Sequence, residues 1–89
     1  MIDYQPLWAT MKERTITKYQ LIYHWGISSN TLRRMSHNEP ITTVTLNDLC
    51  LILNCNVQDI IHFGETDEEA EYLLKRREEI ERPRRRRPK

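Results

Sequence analysis

No run of apolar residues approaches the roughly twenty that a bilayer span requires, and Met1, Ile2 and Asp3 offer no basic stretch followed by an apolar one. A cytosolic chain is expected. Glycine occurs only at Gly26 and Gly64, which leaves no material for a glycine-rich phosphate loop. Cys50 and Cys55 are the only cysteines and stand among Leu49, Leu51, Ile52, Leu53 and Val57 rather than in a CxxC pair, so they read as reduced, mostly buried thiols. Together with His62 they lack both a fourth ligand and any zinc spacing. The three histidines and scattered carboxylates set out no nucleophile, base and orienting group in a pattern that chemistry uses. Neither an enzyme nor a bound cofactor or metal is expected.

What is present is a chain of 89 residues, 38% of them hydrophobic, enough for one modest core without staples. The net charge of +1 conceals a strong division along the chain. Residues 1–64 are neutral overall, residues 65–81 carry eight acids against three bases, and residues 82–89 carry six bases and no acid. A folded unit over 1–64, an acidic helix over 65–82 and a basic tail over 83–89 follow from that division.

Tyr4, Leu7, Trp8 and Met11 lie at i, i+3, i+4 and i+7, predicting a first helix from Tyr4 to Glu13 with Pro6 tolerated in its first turn. Thr17 stands as the N-cap of a second helix of about eight residues that Gly26 closes. Ser28 caps a third helix through Met35, which Asn38 and Pro40 end. A connection as short as Gly26 to Ser28 packs the second and third helices as a helix-turn-helix. Leu46, Leu49, Cys50 and Leu53 repeat the apolar stripe in a fourth helix from Thr42 to Asn54, although its first turn is β-branched and a poor helix former. Asn56 and Asp59 cap a short fifth helix carrying Val57, Ile60 and Ile61. Residues 67–81 form a charged sixth helix with a thin apolar stripe (Ala70, Tyr72, Leu73, Leu74, Ile80), either solvated or paired with a partner. Its Glu71 and Lys75, and Glu78 and Arg82, are spaced as i,i+4 ion pairs. Pro83 ends it, and the residues beyond are expected to be disordered without a ligand. Trp8, Trp25, Tyr19 and Tyr23 suggest a base-stacking surface, but helical spacing puts both tryptophans on packing stripes, and a core role is expected instead.

On the third helix, a 100° wheel collects Ser29, Asn30, Arg33, Arg34 and His37 on one face and Thr31, Leu32 and Met35 on the other. A polar face with two arginines is by itself an ordinary solvated surface. Here it belongs to the second helix of a tight pair, and its groups suit a major groove: Arg forks onto guanine, Asn onto adenine, and serine or a helix N-terminus onto phosphate.

Residues 16–35, ITKYQLIYHWGISSNTLRRM, resemble the helix-turn-helix of the Cro and phage-repressor class, and the likeness runs from Tyr4 to Phe63. Leu21, Gly26, Ile27, Leu32 and Met35 fall on that motif's core and turn positions. The stretch from Thr45 and Leu46 to Asp59, Ile60 and Ile61 is similar to a compact bacterial subgroup. Ile22 departs from the motif, which has a small residue there, and the departure would widen the helix crossing. The resemblance implies an all-α, five-helix lambda-repressor-like domain, followed here by the charged helix and basic tail, in a bacterial or phage-encoded transcriptional regulator, most often a repressor. It also implies base contacts from Ser29, Asn30, Arg33 and Arg34. Lys18 matches the phosphate anchor of the class, with Ser28 beside it, His37 at the rim and Thr17 either a phosphate contact or simply an N-cap. Arg84, Arg85, Arg86 and Arg87 would reach phosphates as an arm or else neutralise the acidic helix.

Double-stranded DNA is the expected partner and a homodimer the expected form, since one short helix reads too few base pairs. Leu51, Ile52, Ile61 and Phe63 are the candidate dimer residues. The competing reading is a protein-interaction module of antitoxin-like character, docking a partner through the helical body and residues 65–89. The neutral body, unusual for a strong DNA binder, supports it.

Overall fold

The computed structural model describes residues 1–81 of the chain, so the expected basic tail, with Arg84, Arg85, Arg86 and Arg87, lies outside the described residues. The elements in chain order are β1 (Ile2–Asp3), α1 (Gln5–Arg14), α2 (Lys18–Tyr23), α3 (Ser29–Ser36), α4 (Thr43–Leu53), a single 3₁₀ turn (Val57–Asp59), β2 (His62–Phe63) and α5 (Asp67–Glu81). The all-α reading holds, with two adjustments. The expected fifth helix is one 3₁₀ turn, and a two-residue antiparallel pair joins Ile2 to Phe63 and Asp3 to His62.

Each of helices α2 to α5 begins where a side chain can take up the orphan amides of its first turn. Thr17 and Gln20 form a reciprocal capping box, with Gln20 N donating to Thr17 Oγ1 at 3.1 Å and Thr17 N to Gln20 Oε1 at 2.9 Å. Ser28 Oγ accepts from Asn30 N at 3.1 Å. Thr42 Oγ1 accepts from Thr45 N at 3.2 Å, which explains how a β-branched first turn still starts α4. Thr66 and Glu69 open α5 in the same reciprocal manner.

The termini use left-handed residues. Thr15, Asn38 and Asn54 adopt φ of 61°, 57° and 51°. Gly26 does so at 76° in the turn between α2 and α3. There Trp25 N donates to Gln20 O at 3.1 Å and Ile27 N to Leu21 O at 2.9 Å, so α2 unwinds earlier than its expected length and stops at Tyr23. An added Cβ at Gly26 would meet nothing within 4 Å. Gly26→Ala therefore isolates the backbone cost of a left-handed turn. Chemical denaturation should show a loss of about 1 to 2 kcal/mol, and an unchanged midpoint would mean that the turn relaxes to negative φ.

The core is one cluster of Tyr4, Leu7, Met11, Leu21, Ile27, Leu32, Met35, Leu49, Leu53 and Ile60. It draws on α1 to α4 and the residue that closes the 3₁₀ turn, so the two helices of the motif rest on a floor built by the others. Polar ties close the frame over long sequence distances. Tyr4 OH donates to Glu39 O at 2.8 Å, and burial pushes this phenol's pKa up, keeping it a donor. Thr10 Oγ1 donates to Asp59 O at 2.7 Å. Arg14 donates from Nε to Leu53 O at 2.9 Å and from Nη2 to Asn54 O at 3.2 Å, taking up carbonyls that the end of α4 leaves unpaired.

Cys50 and Cys55 are free thiols, partly buried against the core, and burial raises the pKa of Cys55. Trp8 is also partly buried there. Trp25, by contrast, does not take the core position expected of it and is 54% exposed. The helical spacing that would turn it inward does not apply, because α2 ends two residues before it. In α5 every residue from 71 to 80 is exposed, and Lys75 Nζ lies 3.8 Å from Glu71 Oε1, as the i,i+4 spacing requires. Arg82, the expected partner of Glu78, lies outside the described residues. No helix among the described residues is long and apolar enough to cross a membrane.

Candidate nucleic-acid interface

The Ser28 cap and the αL turn at Gly26 together set where α3 starts and which way it faces. Leu32 and Met35 are 3% and 1% exposed, which fixes the rotation of the helix about its axis. Ser29, Asn30, Arg33, Arg34 and His37 are consequently all at the surface. The five form one continuous polar face along α3 and its C-cap.

Within this face the side chains are partly organised. Arg33 donates from Nε and Nη2 to Asn30 Oδ1, at 3.2 and 2.7 Å. His37, the C-cap residue, has Nδ1 2.8 Å from Arg33 O. A carbonyl can only accept, so Nδ1 carries the proton and Nε2 is directed elsewhere. Arg34 is exposed on the same surface, one position beyond the Arg33 that holds Asn30.

Ser28 Oγ and Thr17 Oγ1 both accept backbone amides as caps, so each hydroxyl retains its proton to donate outward. For Thr17 the capping role is thus present in the structure, and it is compatible with a phosphate contact. Lys18 occupies the first position of α2 with Nζ 4.8 Å from the centroid of the Trp8 ring. An exposed cation–π contact of this kind contributes about 0.5 to 1 kcal/mol, weak enough for the ammonium to exchange the ring for a phosphate. Nothing in the sequence near Lys18 points to Trp8, which belongs to α1.

The four dimer candidates divide into two pairs. Leu51 and Phe63 are 73% and 63% exposed, whereas Ile52 and Ile61 are partly buried against the core. Phe63 and Ile61 also line an apolar groove of about 550 Å³ together with Ile2, Tyr4, Ile41 and Leu46. Tyr19 and Tyr23 do not take the core role expected of the aromatics: they lie on the outer face of α2, their rings 4.6 Å apart and 65% and 70% exposed, because the core face of that helix is taken by Leu21. Their i,i+4 spacing is the signal for this pairing.

A short helix pair with a buried joint, an αL turn and a polar second helix defines a helix-turn-helix protein, and residues 6–65 match the Cro/C1-type HTH DNA-binding domain, the family to which this chain belongs. Among solved structures, that of the transcriptional regulator VanUg is similar, with a TM-score of 0.63 and 31% sequence identity over 68% of this chain and 81% of that one. No curated protein sequence matches.

Proposed function

We propose that this protein is a sequence-specific transcriptional regulator that acts as a repressor, binding its operator as a homodimer with α3 of each copy in the major groove. Ser29, Asn30, Arg33 and Arg34 face base edges, while Lys18, Thr17, Ser28 and His37 hold flanking phosphates. The observation that carries this reading is the division of α3, with Leu32 and Met35 buried and the whole donor-rich face outside. The neighbouring structure is of a protein described as a transcriptional regulator, which supports the same reading. Repression is the mode that needs least machinery, because a dimer bound over a promoter excludes polymerase by occupancy alone. The two copies meet through exposed Leu51 and Phe63, with Ile52 and Ile61 supporting them from below. The unit that reads DNA is residues 1–64, the acidic segment is 65–82 and the basic tail is 83–89.

Selection of bound duplexes from randomised DNA tests the reading directly: one sequence with two-fold symmetry is expected, its half-sites about one helical turn apart. Replacement of Asn30 or Arg34 by Ala should cost about 1 to 3 kcal/mol on that sequence and relax preference at a single base position. A uniform loss across all sequences would place the altered residue on phosphate instead.

One observation favours a second reading, in which α5 docks a protein partner: Leu73, Leu74 and Ile80 are 43%, 58% and 53% exposed on a helix with a strongly acidic first turn. Under that reading the selection returns no preferred sequence and binding to DNA vanishes at physiological salt.

A further inference from the structure

The contact between Arg33 and Asn30 bears on which base this helix reads. Both Arg33 donors converge on the same oxygen, Asn30 Oδ1, at 3.2 and 2.7 Å. A guanidinium has no acceptor, so the carbonyl side of the Asn30 amide must face it and the NH₂ side must face away. Two donors on one carbonyl oxygen occupy both of its lone pairs. Asn30 is left with two N–H groups directed outward and no free acceptor. Arg33 retains three of its five N–H donors, two on Nη1 and one on Nη2.

An asparagine recognises adenine by a bidentate pair, donating to N7 and accepting from the N6 amino group. That second bond needs the oxygen Arg33 already holds. Guanine presents N7 and O6, both acceptors, and matches a surface that only donates. Cytosine presents only a donor in the groove and is excluded for the same reason, while thymine offers a single acceptor, O4, beside its methyl group where guanine offers two.

Resting on the reading that α3 enters the major groove, we propose that Arg33 locks Asn30 as a hydrogen-bond donor, so that this pair specifies guanine where an unrestrained asparagine would specify adenine. Arg33 is then a specificity determinant twice over, through its own donors at a neighbouring base and through the orientation it imposes on Asn30. The two residues are three apart on one helix, so the backbone holds them within reach whether or not DNA is present. Exclusion of water on entry into the groove strengthens a charge-assisted bond of this kind.

The test uses the full chain, its Arg33→Ala and Asn30→Ala variants, and selection from randomised duplex DNA. Both residues are exposed and neither contributes to the core, so helical content by circular dichroism should match the parent. Asn30→Ala identifies the relevant position as the one whose preference disappears. At that position the parent should select guanine. Arg33→Ala, which frees Asn30 Oδ1, should select adenine there instead. Replacing the guanine by 7-deazaguanine, which lacks the N7 acceptor, should weaken the parent about tenfold and leave Asn30→Ala unchanged.

Adenine selected by the parent at that position, guanine retained by Arg33→Ala, or no single position relaxed by Asn30→Ala would each overturn the proposal while leaving α3 as the reading helix. If the parent enriches no sequence at all, the placement of α3 in the groove fails, and the proposal fails with it.

Discussion

Leu32→Ala is expected to destabilise the domain by roughly 2 to 5 kcal/mol and to abolish DNA binding by unfolding it. Leu32 is 3% exposed and sits on α3, on the face opposite the residues proposed to contact bases. Its side chain joins Leu21 of α2 and Leu49 of α4 in one cluster, so truncation opens a void shared by three helices. For a domain of this size, with a few kcal/mol in hand, such a loss removes most of the folded population at about 37 °C. Thermal denaturation followed by circular dichroism, run beside a binding assay at a temperature where the variant is still folded, separates the two effects. A variant that melts like the parent and still fails to bind would place Leu32 on the DNA face and invert the assignment of α3.

The second large effect concerns the end of the chain. Residues 82–89 contribute six cations, joined to the body through a helix that opens with Asp67, Glu68 and Glu69. Those carboxylates repel DNA, so the cations assist binding only by reaching beyond α5 to phosphates or into a minor groove. Truncation after Glu81 is then expected to leave the melting transition and the preferred sequence unchanged while lowering affinity. The slope of log affinity against log salt should fall by about 0.9 for every phosphate that the tail neutralises in the full chain. With all six cations engaged, residues 82–89 alone account for about a thousandfold of the change in affinity between roughly 50 and 200 mM salt. An unchanged slope would assign Arg84, Arg85, Arg86 and Arg87 to the acidic helix or to a protein partner. Surface ion pairs of that kind contribute under about 1 kcal/mol each.

Features encoded within one or two turns are legible in the sequence. The caps at Thr17 and Ser28 are written in adjacent residues and reappear as hydrogen bonds, whereas Thr42, read as part of the first turn of α4, is its N-cap. The two faces of α3 follow from a wheel, because Leu32 and Met35 are the only large apolar residues on that helix. Features that depend on distant partners are not legible. Arg14 caps a helix that ends 39 residues later, and the seat of Lys18 is an aromatic ring on another helix. The strand pair joins residues 2 and 63 through elements too short to show any alternation. Trp25 departs from its expected place for a local reason: a turn of backbone wider than an α-helix intervenes, and its only sign in the sequence is Gly26. The link between Asn30 and Arg33 lies at i,i+3 in plain view, but a wheel that sorts side chains by face is silent about bonds within one face.

The antiparallel clasp of Ile2 with Phe63 and Asp3 with His62 has a consequence for the order of assembly. Everything between its strands, including the two helices of the motif, is joined by turns of a few residues and closes small loops on the microsecond scale. The clasp must instead close a loop of about sixty residues, with a correspondingly larger entropic cost and little buried area to offset it. The Gln5 amide and His62 both hold the Asp3 carboxyl below its ordinary pKa, the amide being the stronger influence, and the His62 contact reinforces the joint only once it has formed. The strands are thus expected to be the last native element to form and the first to open, with α2 and α3 still docked on the core. In hydrogen exchange the clasp amides would behave as a separate, weaker cooperative unit than the helix-turn-helix. Because only residues 64–66 separate β2 from α5, opening of the clasp would also let the charged helix change direction relative to the outer face of α3.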